Sequence, residues 1–277
     1  MTAITIWRND EIPNHPSLWV TADSRVTSQQ GSVLVEDAAK VLSLPVVCRA
    51  PDQNGFFTNV YHSHSFGYCF AGSTLIGQNA YLGLVPLLSN LVSPQRYLPS
   101  LSDIATHMLS YLRKAFDDFK VPAGPSAMFE AALLGHCPSS GSLGVFHFRP
   151  EMVEGVFEVV LTSYTDLQDG DFVYLGDERE NVTGAIAVAR AKPTEPGRPK
   201  SRFPRYVIQD FIDDPDFETI GGDIQLAIAD DAGFRPFLLC KPWVECEAPA
   251  YFSYLGRELT DDIRMVGQAI VGGPGMI

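Results

Sequence analysis

Thr2 stands directly behind the initiator methionine, so loss of one residue would make a threonine the first residue of the chain. Threonine is small enough for methionine aminopeptidases, and Met1 is expected to be removed. A free N-terminal threonine carries its own base: the α-amine, with an ordinary pKa of about 8, can take the proton of the neighbouring hydroxyl. Ile4 and Ile6 alternate after it, and Leu18, Val20 and Ala22 alternate further on, ending at the charged Asp23. Such period-two runs read as strands. Paired as neighbours, they bring Asp23 towards Thr2. The chemistry in reach is attack of a hydroxyl on an acyl group.

A threonine heading a first strand, followed by a second strand ending Ala22-Asp23-Ser24-Arg25, resembles the proteasome β-subunit family of N-terminal-nucleophile (Ntn) hydrolases. Its bacterial relatives include HslV-like peptidases and proteins of the ancestral β-subunit type. The resemblance implies a third catalytic residue, a lysine on the next strand, and Ala39-Lys40-Val41-Leu42 matches that setting, so Thr2, Asp23 and Lys40 form the implied catalytic set, with Arg25 supporting. Phe66 to Ser73 resembles the family's strand, Ala-Gly and helix start. By this match the Gly72 N–H is the oxyanion donor, and Phe70, two residues earlier, lines a pocket for the substrate's first side chain, making it shallow. Gly176-Asp177-Glu178 stands where the family has Gly-Ser-Gly, which puts Asp177 in place of a serine that bonds the terminal amine. A carboxylate there favours the ammonium form and weakens the base. Asp216-Phe-Glu-Thr219-Ile-Gly221-Gly222 is similar to the family's Asp-x-x-Ser-Gly-Gly, with Thr for Ser and one extra residue, and implies supporting roles for Asp216 and Thr219.

The resemblance runs from Thr2 to about Leu239 and implies an α+β chain, a four-layer αββα sandwich of two antiparallel sheets. It implies one domain over 1–277, with insertions near 50–65 and 192–205. It implies a threonine-type peptidase or amidohydrolase working through an acyl-threonine, without cofactor or metal, assembled with copies of itself into a ring; an unfoldase partner is left open. Two alternatives stand beside it: a catalytically silent scaffold subunit that forms rings, and an Ntn amidase acting on a small amide.

The elements that must position these residues read as follows. Val41 to Val47 is an apolar run fit for a buried strand. Ser73 caps a helix carrying Leu75, Ile76, Leu82, Val85 and Leu88, kinked or ended by Pro86. Ile104, Met108, Leu112, Phe116 and Phe119 form one stripe of a helix expected to be capped by Ser102. Strands are expected at Ala127 to Cys137, Gly144 to Phe148, Val156–Thr162 and Asp171–Leu175, and helices at Glu180 to Arg190 and Tyr206 to Phe211. Ile224, Leu226 and Ile228, the turn at Asp230 to Gly233, and Phe234 to Leu239 read as a closing hairpin. Thr260 caps a last helix through Val266. The Pro- and Arg-rich stretch Lys192 to Arg205 reads as a solvated loop or as a docking loop for an acidic partner surface.

Composition narrows the classes further. Of 277 residues, 33 are acidic and 20 basic, a net charge of −13, which argues against a nucleic-acid partner. Five cysteines leave one over in any full disulfide scheme and read as reduced, core-type thiols. His62 and His64 fall on one strand face and could be two metal ligands, but no third ligand accompanies them, and ordinary histidines are the simpler reading. Arg8, Asp10 and Glu11 interrupt any signal-peptide pattern, and no run of about 18 apolar residues occurs. A cytoplasmic protein is expected. No Gly-rich phosphate loop and no Gly-x-Ser-x-Gly elbow is found.

Overall fold

A computed structural model describes residues 2–28, 30–193, 198–241 and 250–276. In chain order the principal elements are β1 (Ala3–Asn9), β2 (Ser17–Ala22), β3 (Val41–Ala50), β4 (Asn59–Gly72), α1 (Thr74–Leu88), α2 (Leu101–Ala123), β5 (Phe129–Cys137), β6 (Ser142–Val153), β7 (Val156–Tyr164), β8 (Phe172–Gly176), α3 (Arg179–Ala191), α4 (Phe203–Asp213), β9 (Gln225–Asp230), β10 (Gly233–Pro236), β11 (Leu238–Lys241) and β12 (Tyr251–Tyr254). The class is α+β, as the sequence implied. One sheet has the order β8-β1-β2-β9-β10; a second has the order β7-β6-β5-β4-β3, closed by the short strand Leu91–Val92. The chain divides into two compact units, one made of Met1–Val41, Asp169–Ile228 and Arg235–Ile277, the other of Leu42–Gln168 and Ala229–Phe234.

In the first unit β1 lies between β8 and β2, antiparallel to both. Its alternation sends Ala3 and Trp7 to one face, where they pack with Trp19 and Tyr174 under Val182 and Ile186 of α3 and Val207, Ile208 and Phe211 of α4. Trp7 is paired in register with Trp19, and their rings lie 5.8 Å apart. The Trp7 indole N–H donates to the Ser201 carbonyl at 2.8 Å, which ties the entry to α4 to the central strand. Ile4 and Ile6, on the opposite face of β1, are buried as well.

In the second unit Phe66, Tyr68 and Phe70 of β4 pack with Ile76, Ala80 and Leu84 of α1 and with Ile104, Met108, Leu112 and Phe116 of α2. The α2 stripe is the one its sequence periodicity predicts. Its cap is Ser100, not Ser102: the Ser100 hydroxyl accepts the Asp103 N–H at 3.1 Å, and Asp103 Oδ2 accepts the Ser100 N–H at 2.8 Å. Only Ser100 has a carboxylate three residues on that can close such a capping box. Ser73 does cap α1, though its side chain makes no capping bond.

Two other expectations change, in the closing hairpin and in the last helix. Within the polar stretch 50–65, residues 59–65 belong to the long strand β4, and 51–58 turn. His62 and His64 do share a face there, with ring centroids 6.0 Å apart, but the described residues contain no group of three or more His, Cys, Asp or Glu side chains able to hold a metal. The return strand of the closing hairpin breaks at Phe237, and Leu238–Lys241 joins a different sheet, beside β12. The last helix is one turn, Asp261–Arg264, followed by the strand Met265–Val266. The stretch 192–205 lies partly outside the described residues; its described end is already helical from Phe203. Cys246 also lies outside them, and Cys48, Cys69, Cys137 and Cys240 are free thiols. Among the described residues no helix is long and apolar enough to cross a membrane.

The α2 stripe makes a direct test possible. Phe116→Ala, at a position 1% exposed, should lower unfolding free energy by about 3–5 kcal/mol in urea titrations. Val121→Ala, on the same helix and 83% exposed, should change it by no more than about 0.5 kcal/mol.

Candidate active site

Strand register builds the site. On one side of β1, Ile4 is opposite Ala22, so the next residue of β2, Asp23, comes level with Ala3. The Asp23 N–H donates to the Ala3 carbonyl at 3.2 Å, and Asp23 Oδ1 accepts the Ala3 N–H at 3.0 Å. On the other side Ala3 is opposite Gly176, and the residue after β8, Asp177, comes level with Thr2. The Asp177 N–H donates to the Thr2 carbonyl at 2.9 Å, and Asp177 Oδ2 accepts the Thr2 N–H at 3.1 Å. Thr2, 4% exposed, thus heads the middle strand of three with a carboxylate delivered from each neighbour.

Lys40 ends the segment entering β3. Its ammonium donates to Asp23 Oδ1 at 2.8 Å and to the Arg25 carbonyl at 2.6 Å. Asp23 is fully buried and Lys40 is 1% exposed. The Asp23 carboxylate also accepts the N–H groups of Arg25 (3.2 Å) and Gly221 (3.3 Å) on Oδ2. Burial drives the Lys40 pKa below its ordinary 10.5; the charges of Asp23 and, further down, Asp177 oppose that fall, while the Arg25 cation adds to it. The site is therefore a lysine whose charge depends on two carboxylates, at the head of the strand that carries a threonine hydroxyl.

Arg25 acts on the turn between α4 and β9. Its guanidinium pairs with Glu36 at 2.9 Å and donates to the Glu218 carbonyl at 2.9 Å, while the Gly221 carbonyl accepts the N–H groups of Ser24 (3.0 Å) and Arg25 (2.9 Å). The turn comes so close that a Cβ on Gly221 would lie 2.2 Å from Arg25 Cζ, and one on Gly222, at φ +73°, would lie 2.0 Å from the Glu36 carbonyl oxygen. Asp216, expected to support the amine, is exposed, its N–H bonded to Asp214 Oδ1 at 3.0 Å; Thr219 is half-buried within the same turn. What this segment brings to the Asp23 carboxylate is the backbone of Gly221.

Asp177 is pinned in place. The Tyr174 hydroxyl donates to the Asp177 carbonyl, and Arg179, which follows, donates to the Tyr174 carbonyl at 2.7 Å and stacks over its ring.

Gly72 and Phe70 belong to the second unit. Gly72 has φ +81°, and a Cβ there would lie 2.7 Å from the Met128 carbonyl oxygen, so the strand-to-helix turn requires glycine. Phe70 corrects an expectation: it is 2% exposed and lies in the core beneath α1, so close that a Cβ on Gly77 would overlap its ring. The strand alternation that sends Phe66 and Tyr68 to the helices sends Phe70 there too.

One participant escaped sequence reading. Gln225, 1% exposed, bonds both the Asp23 and the Lys40 segments. The available signal was a lone amide in the run Gln225-Leu-Ala-Ile-Ala, on the strand face otherwise made of alanine.

No family model and no curated protein matches the chain. Solved structures do. The Anbu complex from Pseudomonas aeruginosa, a helical assembly, superposes with a TM-score of 0.55 at 12% identity over 92% of this chain and 87% of that one. An Anbu (Gly-1) mutant from Hyphomicrobium sp. strain MC1 gives 0.54 at 15% identity over 85% and 87%. Anbu (ancestral beta-subunit) from Yersinia bercovieri gives 0.52 at 13% over 83% and 82%. The chain is similar to all three in fold, the proteasome-type Ntn fold.

The buried pair predicts unequal mutational costs. Lys40→Met leaves Asp23 with three backbone N–H donors. Asp23→Leu leaves a buried ammonium and orphans those donors, so it should cost at least about 3–5 kcal/mol and exceed the cost of Lys40→Met. The pH dependence has a defined sign. Because the folded pKa of Lys40 lies below 10.5, the unfolded chain binds more protons in the interval beneath that value. Stability should therefore rise with pH there, and wild type should gain on Lys40→Met in denaturant titrations as pH is raised towards 10.5.

Proposed function

We propose that the chain is a threonine-type amidohydrolase of the proteasome-like kind, with Met1 removed and Thr2 as nucleophile. The buried Lys40–Asp23 pair beside the strand headed by Thr2 carries this reading. The Thr2 hydroxyl attacks the amide carbonyl while its proton passes to the α-amine. The C–N bond then breaks as the proton is handed to the leaving nitrogen, and water, activated by the same amine, cleaves the acyl-threonine. Lys40, charged and oriented by Asp23, lowers the pKa of both hydroxyl and amine. The Gly72 N–H as oxyanion donor, a contribution of roughly 3 kcal/mol in such sites, comes from the family resemblance alone. The substrate is a peptide or a small amide, and the free thiols fit a cytoplasmic protein.

Assembly with further copies belongs to the same proposal. Helix α1 has no charged residue, yet Leu75, Leu82 and Leu87 on it are 57%, 64% and 46% exposed. An apolar stripe of this kind fits a second copy, and the Pseudomonas aeruginosa relative in fold forms a helical assembly. A second reading, a ring-forming scaffold without activity, is favoured by Asp177, whose carboxylate 3.1 Å from the Thr2 nitrogen would hold a free amine as ammonium. On the enzyme reading the core-bound Phe70 leaves the substrate's first side chain to other residues.

Three measurements decide. Intact mass should show the chain without Met1, and a β-lactone or peptide epoxyketone should add to Thr2 in wild type and not in Lys40→Met. Absence of labelling at any pH, in protein lacking Met1, favours the scaffold. Because Asp177 favours the ammonium form of the amine against the pull of Lys40, labelling should climb with pH, and Asp177→Ser should label faster near pH 7. Sedimentation should show an oligomer in wild type and, for Leu82→Glu, a species near the chain mass of 30.4 kDa.

A further inference from the structure

Gln225 opens β9, beside β2, and its side chain reaches the segments that carry Asp23 and Lys40. Its Oε1 accepts the N–H groups of Lys40 (3.0 Å) and Val41 (3.2 Å), and its Nε2 donates to the carbonyls of Asp23 (3.1 Å) and Ala38 (2.9 Å). The amide thus spends both donors and accepts twice, on two chain segments that are otherwise irregular: residues 23–25 after β2 and 38–40 before β3 lie in no strand. One backbone bond joins them directly, from the Ala38 N–H to the Ser24 carbonyl at 2.9 Å. The Gln225 amide stands where a further rung of a β-ladder would be, and it does so with 1% exposure, where an unpaired peptide group is costly.

The side-chain chemistry required is narrow. Two peptide N–H groups on one end and two carbonyls on the other demand an acceptor and a donor in one planar group, which among side chains means a carboxamide. Asparagine is one methylene shorter. Glutamate, when ionised, turns an oxygen onto two carbonyls. A leucine orphans four backbone groups at once.

We propose that Gln225 is the positioning residue of this site, a carboxamide strut that holds the Asp23 and Lys40 segments at the separation where the Lys40 ammonium meets Asp23 Oδ1 beside Thr2. The proposal rests on the threonine-nucleophile reading for its catalytic meaning and on geometry alone for the positioning. Gln225 touches no reacting atom; it acts through Lys40, whose backbone N–H it holds.

The test uses full-length protein with 13C at lysine Cε, the Lys40 resonance being identified by its loss in Lys40→Met. In Gln225→Leu this resonance should move and titrate at a changed pH, and acylation of Thr2 by a β-lactone should slow by roughly 100-fold, as for a misplaced catalytic group, with little change in the reagent's half-saturating concentration. Gln225→Glu, close in shape, keeps the test open if the leucine variant fails to fold. Its Lys40 resonance should match wild type at acidic pH, where the buried carboxyl keeps a proton to donate, and depart from it once that proton is lost. A variant that is only less stable would lower the melting temperature and leave the Lys40 titration in place; that result, in either variant, overturns the proposal. If wild-type protein is never acylated, the function above fails, while the resonance still decides the positioning.

Discussion

A buried ammonium facing a buried carboxylate constrains everything around it. Removing two charges from water costs several kcal/mol each, and attraction between them offsets this only where every remaining lone pair and proton is also satisfied. At Asp23 that condition is met by four donors: Lys40 Nζ and the N–H groups of Ala3, Arg25 and Gly221. They come from four separate segments. The register of β1 with β2, the close approach of Gly221 and Gly222, and the Gln225 strut are the separate means by which those segments reach one side chain. Apolar side chains of the same volume would serve stability as well or better. Stability alone therefore does not account for the pair, which is the argument for the proposed chemistry at Thr2.

How much of this was readable follows from the range of each interaction. The alternation of β1 and β2 and the stripe of α2 are local patterns, and they gave the strand pairing that sets Asp23 near Thr2 and the helix that covers β4. Asp177 beside Thr2 came from the family resemblance, and the register of β1 with β8 supplies its physical reason. Gln225 was not: its partners stand 185 residues away, and a single glutamine in an apolar run has no local meaning. The direction of Phe70 was misjudged because motif matching gives a position along the strand, while the helix packed above decides which side chains turn inward. The extent of β4 before Phe66 was not readable, because that end is solvent-facing, with histidines and serines instead of buried β-branched residues.

The placement of these groups within the chain has a physical consequence. Thr2, Asp23, Arg25, Lys40, Asp177, Gly221 and Gln225 all lie in the first compact unit. The charges around Thr2 are thus held inside one core, by short bonds between segments of a single sheet and its loops. Gly72 and Phe70, from the second unit, contribute a tight glycine turn and a filled core, which are matters of backbone and volume.

The replacement of a hydroxyl by the Asp177 carboxylate changes that balance. In the first unit Asp23 faces the Lys40 ammonium, and the Asp177 carboxylate faces the Thr2 nitrogen. On the proposed reading a free Thr2 amine would meet the Asp177 carboxylate, which favours its ammonium form. A serine in place of Asp177 would remove that charge and ease release of the amine proton. The carboxylate therefore biases the resting state towards an ammonium clamped to Asp177, and Lys40 pulls against that bias. On that reading, turnover at neutral pH would require Lys40, lowered by burial but held by Asp23, to stay charged while the amine gives up its proton. The two groups compete for the same negative field, and the one nearer to Asp23 has the stronger hold.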